Sequence, residues 1–213
     1  MKAIRSVASF SLLVFLAGCT SIQVRSDIQR GRQALFLGEP KMALPYFHRA
    51  AQIDPNYLIN FAPPPITESV WTYNGRAYYG MKQFADARQA FERALGQTEQ
   101  DHFARLYLGL TLGQDGDRQK GQQEISTALK GFANSLDYIR QYHTDRFFDT
   151  TGELRSAVRK QLASLSGGEP NWPEVVANGE WLGLQLEQEM DLAKKLRRLE
   201  ETRDSNDGKG DDD

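Results

Sequence analysis

Residues 71–94 read WTYNGRAYYGMKQFADARQAFERA. Their large and small side chains keep fixed intervals: Trp71-x2-Asn74-Gly75-x2-Tyr78, then Ala87-x3-Phe91-x2-Ala94. Steps of three and four place residues on one face of a helix, so the stretch predicts two helices. Small residues at Gly75, Ala87 and Ala94 let those helices approach closely, and Tyr78 and Phe91 are expected to fill the space between them. The same intervals return 34 positions on as Leu108-Gly109-x2-Leu112, followed by Gly121-x3-Ile125-x2-Ala128. Upstream they appear as Gly31, then Ala43-x3-Phe47-x2-Ala50, closed by Asp54-Pro55. Each such helical pair leaves an apolar side that only the next pair can cover, so stability comes from stacking.

The pattern resembles the tetratricopeptide (TPR) repeat, W-x2-L-G-x2-Y…A-x3-F, with Asn74 standing where that family has Leu. The resemblance implies an all-α solenoid of about three repeats within residues 19–133, with units near 24–57, 68–101 and 102–135. The packing positions named above, with Pro55 and Trp71, are then its structural residues. Asp27 and Arg30 replace apolar signature residues in the first unit, which is expected to be an atypical terminal repeat facing water or the membrane. Gly38-Glu39-Pro40 and Asp115-Gly116-Asp117 read as turns inside the first and third units.

Between the first two units lies a surplus segment, Leu58 to Thr67, containing Pro63-Pro64-Pro65. Three prolines cannot continue a helix and favour an extended polyproline segment. It either shapes the rim of a groove or is a tolerated insertion. No strand pattern is visible between Ile22 and Arg203. Past the repeats, residues 134–203 read as a C-terminal helical extension. Ile125, Leu129, Phe132, Leu136, Ile139 and Tyr142 form one amphipathic stripe. Thr150-x-x-Glu153 reads as a capping box opening a helix that Gly167-Gly168 ends. Another begins at Pro173, striped by Trp181, Leu182, Leu186, Met190, Ala193 and Leu196. Asp204 to Asp213 lacks apolar side chains and reads as a disordered acidic tail.

The N-terminal segment carries a different signal. Lys2 and Arg5 precede an apolar run from Ala8 to Ala17, too short to span ~30 Å of hydrocarbon and typical of a signal peptide. Leu16-Ala17-Gly18-Cys19 resembles the lipobox of bacterial lipoproteins. That resemblance implies removal of residues 1–18 and lipidation of Cys19, the chain's one cysteine. Thr20 in place of Asp implies sorting to the outer membrane, with the chain facing the periplasm. Several acyl chains would anchor it stably.

Composition narrows the function classes. The 213 residues carry a charge of −2, and without Lys2 and Arg5 the balance is 24 basic to 28 acidic, or −4. No broad cationic field for nucleic acid exists. A single cysteine allows neither an intrachain disulfide nor a CxxC pair. His48, His102 and His143 stand apart from one another. Asp149-Thr150-Thr151-Gly152 resembles the aspartic-protease triplet, but the extra Thr breaks its turn, and a helix cap accounts for it better. Glu187 and Glu189 read as solvated helix surface. No catalytic constellation, cofactor site or metal site emerges, and the chain is expected not to be an enzyme.

In a TPR stack the first helix of each pair lines an inner groove. Counting from the packing glycines, the residues facing it are Arg25, Ile28, Arg32 and Phe36, then Thr72, Arg76 and Tyr79, then Phe103, Leu106 and Leu110. Arginines there could hold carboxylates bidentately, and the aromatic side chains could anchor apolar groups. Either this face is open to a partner, or the C-terminal helices fold back and fill it. The expected role is a lipid-anchored scaffold or adaptor for a protein or peptide of the cell envelope. Assembly of type IV pili or outer-membrane complexes, or recruitment of a peptidoglycan enzyme, are alternatives within that resemblance.

Overall fold

In the computed structural model, residues 4–61, 66–142, 146–167 and 170–207 are described, with side chains from residue 20 to residue 203. Three helical hairpins pack in series. They are α1 (Ile4–Phe36) with α2 (Pro40–Ile53), α3 (Val70–Gly80) with α4 (Phe84–Gln97), and α5 (His102–Gln114) with α6 (Arg118–Tyr142). Each second helix packs on the first helix of the next pair, and α1, α3 and α5 also touch in sequence. Next come α7 (Glu153–Ser166), packed on α6, and α8 (Trp172–Asp207), packed on α5 and α7. Among the described residues no helix is long and apolar enough to cross a membrane.

The spacing seen in the sequence is a set of contacts. A Cβ built on Gly31 would lie closer than 3.0 Å to the Phe47 ring, and one on Gly75 equally close to the Phe91 ring. On Gly109 it would meet Ile125 Cγ1 at 2.6 Å and the Gly121 carbonyl oxygen at 2.7 Å. Thus one helix of each hairpin supplies a notch and the other the side chain that fills it. Phe47, Phe91 and Ile125 are fully buried, as are Ala43, Ala50, Ala87, Ala94 and Ala128. Burying each large side chain contributes about 1.5–3 kcal/mol. Tyr78 does less than expected: it is half-buried, and its hydroxyl shares a 2.8 Å hydrogen bond with His48 Nε2. Tyr73 stacks on Phe47, with centroids 5.4 Å apart, and is buried between α2 and α3.

Asn74 is buried, and its amide donates to the carbonyls of Val70 at 3.0 Å and Phe47 at 3.4 Å. It therefore ties α3 to α2 where a leucine would only pack. Asp101 joins the second and third hairpins. Its carboxylate caps α5 through the Ala104 amide (2.8 Å) and accepts from Thr72 Oγ1 (2.5 Å) and the Ser69 amide (2.7 Å). The turns expected at Gly38 and Gly116 are present, with φ of 73° and 104°. In the middle hairpin the corresponding turn residue is Lys82, at φ 60°.

Several expectations are corrected. The segment after α2 contains an antiparallel hairpin, β1 (Leu58–Phe61) with β2 (Ile66–Ser69), pairing Leu58 with Ser69 and Phe61 with Ile66. The expected Pro63–Pro65 rim lies outside the described residues. Strands of four residues are too short to show a convincing period of two. Asp27 does not face water: it is buried, with Arg49 donating to both carboxylate oxygens at 2.6 and 3.2 Å. That hydrogen bonding holds its carboxyl below the usual range. Glu153 begins α7, so Thr150 does not cap it. Asp149 does, through the Leu154 amide at 2.9 Å. Residues 204–207, expected in the disordered tail, continue α8. The rest of that tail and His143 lie outside the described residues.

Candidate functional site

Gly31 and Gly75 turn toward the second helix of their hairpins, so the next residues, Arg32 and Arg76, turn the other way. Both guanidiniums are buried, and both meet α8. Arg32 Nε donates to Glu187 Oε1 at 2.5 Å and Arg32 Nη2 to Asp191 Oδ2 at 2.9 Å. Arg76 Nη2 donates to Glu187 Oε2 at 2.5 Å. One carboxylate from α8 is thus clamped by arginines of two successive hairpins. In the third hairpin the residue after the glycine is Leu110, and it packs on α8 where Gly179 leaves room.

Several of the other groove candidates meet the same helix. Tyr79 donates from its hydroxyl to Glu180 Oε1 at 2.6 Å and accepts from Gln114 Nε2 at 2.5 Å. Phe103, Leu106 and Leu110 are fully buried in the core that α8 completes with Leu182 and Leu186. Phe36 is half-buried, with the Arg32 guanidinium 5.6 Å from its ring centroid. Ile28 and Thr72 are buried, and only Arg25 is exposed, donating to Tyr57 Oη at 3.0 Å. The expected face exists as a row, but α8 occupies it. Of the two arrangements left open by the sequence, the described residues adopt the filled one.

Burial sets the electrostatics of the seam. Taken alone, burial would raise the Glu187 carboxyl, but the two arginines outweigh it and hold it below the ordinary carboxylate range. Glu68, on β2, has the opposite balance. It is buried, neither of its oxygens is hydrogen-bonded, and the nearest cation, Arg76 Nη1, is 3.9 Å away. Burial, reinforced by the Glu187 charge, pushes its pKa up to about 8. At neutral pH Glu68 is therefore mostly protonated, and two guanidiniums face two carboxylates in balance. Asp101 is raised by burial to about 6, despite its three hydrogen bonds.

Glu187 is the residue that sequence reasoning missed. Adjacent charges made its helix look solvated, and its partners lie 155 and 111 positions away. The only available signal was its position on the Leu182–Leu186–Met190–Ala193 stripe, one residue past Leu186. Glu189, read the same way, accepts from the Asp149 amide at 3.1 Å.

Two adjoining clefts open beside the Arg32–Asp191 end of the seam. One, about 380 Å³, is bounded by Arg25, Tyr57, Phe61 and Lys194, and the other, about 560 Å³, by Gln29, Lys195, Arg198 and Leu199. Among the described residues no three His, Cys, Asp or Glu side chains converge as a metal site. The Cys19 side chain lies outside the described ones. Compared with known protein families and with curated proteins, the chain matches none.

Proposed function

We propose that the chain is a lipid-anchored, TPR-type adaptor of the bacterial cell envelope that works by binding another protein and carries no catalytic chemistry. The observation that supports the TPR reading is the equivalence of three contacts, Gly31 with Phe47, Gly75 with Phe91 and Gly109 with Ile125, in successive hairpins. Such stacks present a concave row of side chains, and here that row already holds a helix with charged contacts. A surface that takes its own helix has the shape and charge to take another chain's, by helix-in-groove recognition. Anchoring rests on Leu16-Ala17-Gly18-Cys19.

Two measurements test the proposal. Cells expressing the chain are fed an alkyne-labelled fatty acid and fractionated. Label is expected on the wild type in the membrane fraction and on no Cys19→Ser product. A labelled Cys19→Ser protein would reject the anchor. Cross-linking in intact cells, followed by identification of captured envelope proteins, tests the adaptor role. Capture that is indifferent to α8 and to the concave arginines would reject it.

A further inference from the structure

The two halves of α8 are held by different physics. Its first half is set into shape-matched notches. The Trp172 ring lies over Gly113 and Gly121, Gly179 admits Leu110, and Gly183 admits Tyr107. Side chains larger than glycine would not fit there. From Glu187 onward the contact with α1 and α3 is ionic, through Arg32 and Arg76, while Met190 and Ala193 are buried in the apolar core. Both clefts described above border this stretch, and parting it would also uncover Met190 and Ala193, so a rival must bring apolar side chains as well as carboxylates.

Buried ion pairs are a poor choice for permanent closure. Desolvating the charges largely offsets their attraction, and apolar replacements are often as stable or more so. The charges recover water when such a seam opens, whereas separated apolar faces do not. From the clamp on Glu187 we infer that α8 is a displaceable occupant, and that the partner bound in its place is an acidic amphipathic helix with two carboxylates one turn apart. Glu187 and Asp191 have that spacing and define the chemistry a rival must copy. Parting the seam leaves Arg32 and Arg76 without the Glu187 and Asp191 counter-charges, beside the exposed Arg25. That is a cationic face bordered by the Phe36 and Phe61 rings. This inference rests on the adaptor reading, because it names the class of partner for that face.

The test uses the full chain in a Cys19→Ser background, spin-labelled at Gln29→Cys and Lys195→Cys, which line one cleft. The probe is a synthetic peptide of residues 180–193, whose charge is −4. In the parent chain the label-to-label distance is expected to be a single short one. Glu187→Gln with Asp191→Asn adds a longer population and tightens peptide binding about tenfold or more, the equivalent of ~1.4 kcal/mol of lost internal competition. Adding Arg32→Glu and Arg76→Glu abolishes that binding. If the double neutral variant does not fold, Asp191→Asn alone, at a carboxylate already partly exposed, is expected to show the same changes in smaller measure. A distance that never lengthens, or peptide binding indifferent to the arginines, overturns the inference. A seam that opens and takes the peptide while cells yield no captured partner keeps α8 displaceable by an acidic helix but rejects the adaptor reading and, with it, a partner in the cell.

Discussion

Gly31 and Arg32 are neighbours in the chain, as are Gly75 and Arg76, yet each pair looks into two unlike seams. The glycines face the inside of a hairpin, where Phe47 and Phe91 fill the available space and no polar atom takes part. The arginines face α8 across a seam of carboxylates. Shape governs the first seam, so it tolerates no added volume. Charge pairing governs the second, where loss of one carboxylate leaves buried guanidiniums uncompensated. The contrast teaches that one repeated dipeptide can encode both a shape-matched contact and a charge-paired one.

The largest expected effect comes from filling a notch. Gly75→Leu must push the Phe91 ring aside, and overpacking typically costs about 1–3 kcal/mol, with more when the backbone moves. The melting temperature should fall by at least several degrees. Gly96, with nothing near its would-be Cβ, is the control: Gly96→Ala should leave melting unchanged or slightly raised. Equal effects at both positions would break the hairpin half of the comparison.

The ionic seam should respond differently. Glu187→Gln strands two buried guanidiniums, a change that typically costs 3–5 kcal/mol when the structure cannot relax. Opening of the seam rehydrates them, so the expected loss in global stability is smaller, on the order of 1–2 kcal/mol by the usual range for single substitutions. Protease cleavage within residues 187–203 should accelerate while α1–α6 stay protected. Uniform loss of protection would place this seam in the same class as the glycine notches.

Glu68 sharpens the comparison through pH. Its folded pKa of about 8 lies above the ordinary value of 4.5, so the stability it contributes is complete below that ordinary value and is lost as pH rises toward 8. Asp101 acts in the same direction but only up to about pH 6. His102, lowered by burial, instead loses stability as pH falls through its ordinary 6.5. Between pH 6.5 and 8 Glu68 should therefore dominate among these groups, with a decline on the order of 1–2 kcal/mol. Glu68→Gln should flatten denaturant midpoints across that window. An unchanged slope would contradict the buried, unpaired state of this carboxyl.

The legible parts of the fold are those governed by short-range periodicity. Gly75, Ala87, Phe91 and Ala94 declare themselves because their contacts repeat every helical turn, and Gly38 and Gly116 because turns need their backbone freedom. Glu187 was illegible because nothing local distinguishes a carboxylate on a solvated face from one aimed at an arginine 111 positions away. Asp27 was misread for the same reason, with Arg49 on the next helix. The β-hairpin was masked by its prolines. Arg32, Arg76 and Tyr79 were placed on the right face, but its filling depended on α8, whose apolar stripe showed a docking side without showing which face it would meet.

The smallest expected effect is at the turn of the middle hairpin. Lys82 occupies the left-handed region that Gly38 and Gly116 adopt freely, a conformation costing roughly 1–2 kcal/mol for a residue with a Cβ. Lys82→Gly gives back part of this as added freedom of the unfolded chain. A net gain of up to about 1 kcal/mol, or a few degrees in melting, is expected. A loss would mean that the Lys82 side chain contributes more than its backbone strain costs.

The central claim, that α8 is held across α1 and α3 by arginines of two hairpins, is tested most directly by a double-mutant cycle on Arg76 and Glu187. Chemical denaturation of the parent chain, Arg76→Gln, Glu187→Gln and the double variant yields the coupling free energy between the two side chains. Contact across a buried seam predicts non-additivity of about 1–3 kcal/mol, with the double variant more stable than the sum of the single losses implies. Additivity within about 0.3–0.5 kcal/mol, the behaviour of residues that do not touch, would contradict it.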